Sequence, residues 1–73
     1  MLILVKKLDA RGYSCPQPVL ITKKALEENP EGVSILVDNS AACQNIKRYM
    51  EHSGYKVSID ELDEYEFVVT GGK

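Results

Sequence analysis

The sequence has little of what metal sites and base-assisted catalytic sites require. It contains one histidine, His52, and two cysteines, Cys15 and Cys43, which do not form a Cys-x-x-Cys pair. Structural zinc sites use four Cys or His ligands, usually paired at short spacings, so we expect no metal site. No Ser/His/Asp or Cys/His constellation for nucleophilic catalysis stands out, and nothing points to a cofactor. Thiol chemistry, if present, must proceed without a dedicated base.

Long apolar runs and an excess of positive charge are also missing. The apolar run at residues 2–5 ends at two lysines, far short of the about 20 apolar residues that cross a bilayer, so we expect neither a transmembrane segment nor a signal peptide. The formal net charge is −2, whereas nucleic-acid binders need clustered Lys and Arg. We therefore expect a cytoplasmic protein that binds neither membranes nor nucleic acid directly. Thiols stay reduced in that compartment, so a structural disulfide is not expected.

The length of the chain limits its architecture to one small domain. A domain of 73 residues buries roughly 60% of the surface that its unfolded chain exposes, so its chemistry belongs at the surface. A hydrophobic content of 44% and a charged content of 27% are ordinary for a globular fold. We predict a single domain over residues 1–73. The Gly71-Gly72 pair near the end is typical of a linker, which favours the N-terminal domain of a longer protein.

Hydrophobic periodicity and turn residues predict the element order β-α-β-α-β-β. The predicted strands are 2–8, 33–37, 55–60 and 65–70, and the predicted helices are 16–28 and 39 or 40 to 53. A strand, helix and strand in succession imply a parallel pair with a right-handed crossover, and the last two strands form a hairpin. The expected fold is α/β in the α+β sense, a two-layer sandwich with both helices on one face of a mixed four-stranded sheet.

Cys15 is the strongest candidate for chemistry because Cys15-Pro16-Gln17-Pro18 opens a predicted helix. Prolines are tolerated in a first helical turn, where they fix the backbone direction. A thiol is nucleophilic only as the thiolate, and helix N-termini lower its pKa. Neither proline offers an N–H, so the Gln17 amide is the nearest donor and we expect a modestly lowered pKa. On the residues alone, a small buried hydrophobic cysteine beside a proline turn is an equal alternative.

The segment 8–19, Leu-Asp-Ala-Arg-Gly-Tyr-Ser-Cys-Pro-Gln-Pro-Val, resembles the signature of the TusA/SirA/YedF family of sulfur-carrier proteins. The similarity continues through segments 37–39 and 53–55, and it is strongest to the N-terminal domain of YedF-type selenium-metabolism proteins. The resemblance implies the fold derived above and a persulfide carried on Cys15. It also implies a cysteine desulfurase-like protein donor, a protein acceptor, and a tethered DsrE-like domain.

In this hypothesis Cys15 accepts and donates sulfur, and its neighbours support the loop. The loop-shaping residues are Asp9, Gly12, Pro16 and Pro18, and Gln17 offers its amide. Leu20 falls on the polar side of the first predicted helix beside Lys23 and Lys24, which makes it a candidate docking point for a partner. Single exposed leucines are common, and lysines on a helix are usually an ordinary solvated face.

Two other functions stay open. In the first, the protein is a thiol–disulfide redox module in which Cys43 is the resolving thiol for Cys15. The spacing of Cys43 to Ile46 and Met50 counts against this function, because it places Cys43 on an apolar helical stripe and favours a packed core residue. The alternative is a non-catalytic regulatory or interaction domain that keeps the motif for its shape. Such a role should survive the substitution Cys15→Ser.

Overall fold

The computed structural model describes residues 6–13 and 17–72. The elements are β1 (Lys6–Asp9), α1 (Gln17–Glu28), β2 (Gly32–Val37), α2 (Ser40–His52), β3 (Lys56–Glu61) and β4 (Phe67–Gly72). The predicted order β-α-β-α-β-β is therefore confirmed. Residues 2–5 of the first predicted strand lie outside the described residues, as do Ser14, Cys15, Pro16 and Lys73.

The sheet has the strand order β1-β2-β4-β3. β1 and β2 are parallel, and β4 is antiparallel to both of its neighbours. Both helices pack on one face: α1 contacts β2 and α2, and α2 contacts β3 and β4. The two-layer α+β sandwich predicted from the sequence is confirmed.

One edge of the sheet gathers three connections. Asp9 at the end of β1 pairs with Leu36, and Val37 at the end of β2 pairs with Phe67 at the start of β4. The turn between β3 and β4 therefore lies at the edge where β1 and β2 end. α1 follows β1 and begins there as well. We call this the carboxyl edge of the sheet, after the ends of its two parallel strands.

The core lies between the sheet and the two helices. Side chains alternate along each strand, so β2 buries Val33, Ile35 and Val37, while Leu36 on the opposite face is only half-buried. α2 contributes Ile46 and Met50, both fully buried. Each fully buried aliphatic side chain stabilises the fold by about 1.5–3 kcal/mol relative to exposure. None of the helices in residues 6–13 and 17–72 is long and apolar enough to cross a membrane.

Asn39 determines where α2 begins. Its side-chain oxygen accepts the Ala42 N–H at 2.7 Å, and its backbone is extended, as at a helix N-cap. The second predicted helix, which starts at residue 39 or 40, therefore has Asn39 as its N-cap and Ser40 as its first residue. Gly54 follows the helix with φ +90°, a left-handed conformation that suits glycine.

The linker interpretation of Gly71 and Gly72 is wrong. Both residues belong to β4, where Gly71 pairs with Val33 and Gly72 with Gly32. A Cβ on Gly71 would collide with the sulfur of buried Met50, and a Cβ on Gly32 would collide with the carbonyl oxygen of Gly71. These glycines allow β2, β4 and α2 to approach closely, which local sequence does not distinguish from a flexible tail.

The hairpin also starts its second strand later than predicted. The Asp63 carboxylate accepts the N–H groups of Tyr65 and Glu66 at 2.8 and 3.0 Å, which holds Tyr65 in the turn. Asp side chains stabilise turns by bonding to the backbone two or three residues on. As a result, β4 begins at Phe67 rather than at Tyr65.

Candidate functional site

The candidate site is defined by the two stretches that flank Cys15 in the sequence. Cys15 and Pro16 lie outside the described residues. Tyr13 is the last described residue before them, and Gln17 is the first residue of α1. Asp9 and Gly12 lie on the β1 side, and Gln17 and Pro18 lie on the α1 side.

On the β1 side, Asp9 and Arg11 form a two-point ion pair. The Arg11 Nε donates to Asp9 Oδ1 at 3.1 Å and Nη2 donates to Oδ2 at 2.9 Å, while the Arg11 backbone N–H also donates to Oδ1 at 3.0 Å. The same guanidinium reaches the β3–β4 turn, where Nη1 donates to Glu66 Oε2 at 2.9 Å. These hydrogen bonds from Arg11 lower the pKa of Asp9, and the Asp9 bonds raise the pKa of Arg11.

Gly12 lies in a turn directly after this pair. Its φ is +84°, and its N–H donates to Asp38 Oδ2 at 2.9 Å. Two residues earlier the Ala10 N–H donates to the Leu36 carbonyl at 2.8 Å, and Ala10 is buried. The turn at residues 10–13 is therefore held against the end of β2 at two points.

On the α1 side, Gln17 and Pro18 differ in burial. Gln17 is exposed as the first helical residue, whereas Pro18 is buried. The Pro18 carbonyl accepts the hydroxyl of Thr22 at 2.8 Å, and Thr22 is fully buried. Pro18 thus anchors the start of α1 in the core, in addition to fixing its backbone direction.

Leu20, Lys23 and Lys24 are exposed on α1, as the helical spacing predicted. The four large hydrophobic side chains that are exposed among the described residues are Tyr13, Leu20, Leu62 and Tyr65. Tyr13 and Leu20 flank the Cys15 segment in sequence, and the other two lie on the β3–β4 turn. All four are therefore near the carboxyl edge of the sheet.

Cys43 is a free thiol that is only 2% exposed. Burial raises its pKa, an effect that nearby Lys47 opposes and Glu61 reinforces. The predicted core position of Cys43 is confirmed. A buried, protonated thiol is a poor nucleophile, which argues against a resolving role.

The described residues offer little for a metal ion. Across 6–13 and 17–72, no group of three or more His, Cys, Asp or Glu side chains is arranged to hold one.

Comparison with known proteins places this geometry in a family. The family model of sulfurtransferase TusA matches residues 6–71. The chain belongs to the TusA sulfurtransferase family. This TusA-family domain is 49% identical over 69 residues to a Methanocaldococcus jannaschii protein described as a candidate sulfur carrier, and the match covers 92% of each chain. The crystal structure of a SirA-like protein from Desulfitobacterium hafniense matches it with a TM-score of 0.84 and 38% identity, over 93% of this chain and 96% of that one. The predicted family and fold are both confirmed.

The structure adds three polar residues that the sequence analysis did not assign to the site: Arg11, Asp38 and Glu66. The position of Asp38 in the sequence could have indicated its place at the site, because Asp38 directly follows the parallel strand β2, whose end lies beside the end of β1. Nothing in the sequence indicated the Arg11–Glu66 contact, since the two residues are 55 positions apart.

Proposed function

We propose that this TusA-family domain carries sulfane sulfur as a persulfide on Cys15 and passes it to a partner protein in the cytoplasm. The observation that carries the proposal is the burial of Cys43, which leaves Cys15 as the candidate carrier thiol. Cys15 stands between an anchored turn and the start of α1, whereas Cys43 is buried and its pKa is raised. Family membership and the candidate sulfur carrier among its relatives support the same chemistry.

The transfer is an exchange between sulfur atoms. The Cys15 thiolate attacks the outer sulfur of a persulfide on the donor protein. The sulfur–sulfur bond of the donor breaks, the donor leaves as a thiolate, and a new sulfur–sulfur bond forms on Cys15. An acceptor thiolate then removes that outer sulfur in the same way. The sulfane sulfur and its oxidation level move together, so no external oxidant or reductant is needed.

The partner proteins must supply the catalytic groups other than the Cys15 thiol. We propose a cysteine desulfurase-like donor and a protein acceptor, which meet the domain over the exposed face of α1 at Leu20, Lys23 and Lys24. A protein this small has limited capacity for an enclosed substrate pocket. Selenium as cargo and a tethered DsrE-like domain stay predictions from the sequence.

Intact-mass measurement after exposure to a cysteine desulfurase and cysteine tests the proposal. Wild type and Cys43→Ala should each gain one sulfur atom that a reductant removes, and Cys15→Ser should gain none. No gain in wild type, with loss of two hydrogens on mild oxidation, would instead support a redox pair. If the pathway function survives in Cys15→Ser, the domain acts through interaction alone.

A further inference from the structure

Asp38 connects the turn before Cys15 to the start of α2. Its Oδ2 accepts the Gly12 N–H at 2.9 Å, and its Oδ1 accepts the Asn39 side-chain N–H at 3.2 Å. Asn39 in turn caps α2 by accepting the Ala42 N–H at 2.7 Å. Ala42 is buried. One carboxylate therefore ties the turn to a helix that is fixed in the core.

Gly12 is a sensitive point for such a tie. It stands three residues before Cys15 and has a left-handed backbone, which sets the direction in which the chain leaves the turn. The next described contact with the core along the chain is Pro18, which is buried. Among residues 6–13, the bond from Gly12 to Asp38 is thus the hydrogen bond nearest to Cys15 along the chain.

The charge of Asp38 does not by itself favour a sulfur nucleophile. A negative charge near a thiol disfavours the thiolate, because like charges repel and the thiol pKa rises. Any benefit of Asp38 to sulfur transfer must therefore come from its hydrogen-bond geometry.

We infer that Asp38 is a positioning residue for sulfur transfer, acting through the Gly12 N–H. The inference rests on the proposed function of Cys15. It assigns to Asp38 the orientation of the chain that leads into Cys15, so that a protein donor meets the thiol in one geometry.

Two substitutions separate geometry from charge. In Asp38→Asn the side-chain oxygen still accepts the Gly12 N–H without a charge, although the amide NH2 that replaces Oδ1 no longer accepts the Asn39 side-chain N–H. In Asp38→Ala both acceptors are lost. Loading by a cysteine desulfurase with cysteine is followed by intact mass over a range of carrier concentrations. We expect Asp38→Ala to lower kcat/KM for loading about tenfold, the loss typical of one hydrogen bond, and Asp38→Asn to stay within about twofold of wild type. Alkylation of Cys15 by iodoacetamide should not become slower in either variant, because a small reagent needs no fixed approach and the removed charge does not favour the thiolate.

Gly54→Ala is the control for loss of fold stability. Gly54 has φ +90° with no atom within 4 Å of an added Cβ, and it lies after α2, away from the carboxyl edge. The inference is wrong if Gly54→Ala slows loading as much as Asp38→Ala, or if Asp38→Asn is as slow as Asp38→Ala. It is also wrong if Asp38→Ala loads normally. If wild type itself gains no sulfur, the proposed function fails first, which is a distinguishable result.

Discussion

At the scale of single residues, the surroundings of Cys43 determine how its thiol reacts. Burial raises the pKa of Cys43, so its thiol stays protonated at neutral pH. In the unfolded chain the thiol has the ordinary cysteine pKa of about 8.5. We expect native wild type at pH 8 to react with iodoacetamide at one cysteine, and the urea-unfolded chain to react at two. Native Cys15→Ser should react slowly. Rapid alkylation of Cys43 in that native variant would contradict its burial. The same shift means that Cys43 stabilises the fold below pH 8.5 and that this contribution is lost as the pH rises toward its folded pKa.

A second single-residue prediction concerns partner docking at Leu20. This side chain is 51% exposed on α1, five residues after Cys15, and Leu62 on the β3–β4 turn is similarly exposed at 57%. If the donor docks on α1, burial of Leu20 against it excludes a charge, so Leu20→Asp should lower kcat/KM for loading about tenfold. Leu62→Asp is the matched control and should load normally. The opposite result would move the docking surface to the turn.

Residue-scale features could be predicted from the sequence where they depend on periodicity. The helical spacing of Cys43 to Ile46 and Met50 correctly predicts that the thiol lies in the core. The helical position of Leu20 correctly predicts that its side chain is exposed. The Asp38–Gly12 bond depends instead on which strands are neighbours, and periodicity does not contain that information.

At the scale of elements, the close contact of β2, β4 and α2 depends on glycine. A Cβ on Gly32 would meet the backbone carbonyl of Gly71, and Gly32 also has φ +141°. A Cβ on Gly71 would meet the side chain of Met50, which has flexible torsions and can shift. We therefore expect Gly32→Ala to lower the free energy of unfolding more than Gly71→Ala, by about 2–4 kcal/mol against about 1–3 kcal/mol. Urea denaturation measures both.

The double variant Gly71→Ala with Met50→Val tests this explanation. Valine lacks the δ atom that an added Cβ at Gly71 would meet, so Gly71→Ala should cost less stability in the Met50→Val background than in wild type. Additive losses would show that the added Cβ and residue 50 do not interact. The sequence alone suggested a linker at Gly71 because the reason for glycine there lies on α2, far away in the chain.

At the scale of the whole molecule, the fold follows from the order of its elements, but the contacts that join them do not. A strand, a helix and a strand, followed by a helix and a hairpin, were enough to predict a mixed sheet with two helices on one face, because parallel crossovers are right-handed. The insertion of β4 between β2 and β3 then brings the β3–β4 turn to the edge where β1 ends. This juxtaposition makes the Arg11–Glu66 pair possible.

The Arg11 guanidinium should therefore link acid stability to two distant parts of the chain. It lowers the pKa of Asp9, so the pair stabilises the fold above the ordinary carboxyl pKa of about 3.9 and loses this effect as the pH falls through the lower folded value. We expect Arg11→Gln to be less stable than wild type by a small, constant amount from about pH 7 to pH 5, and the difference to shrink below about pH 4. Urea denaturation across this range measures it.

Amide exchange at Leu62, whose N–H donates to the Glu66 carbonyl at 2.8 Å, should also be faster in Arg11→Gln. Lys47→Gln, which removes an ion pair local to α2, should leave that exchange rate unchanged. If both variants change the Leu62 exchange rate equally, the Arg11 ion pairs do not connect the β3–β4 turn to Asp9.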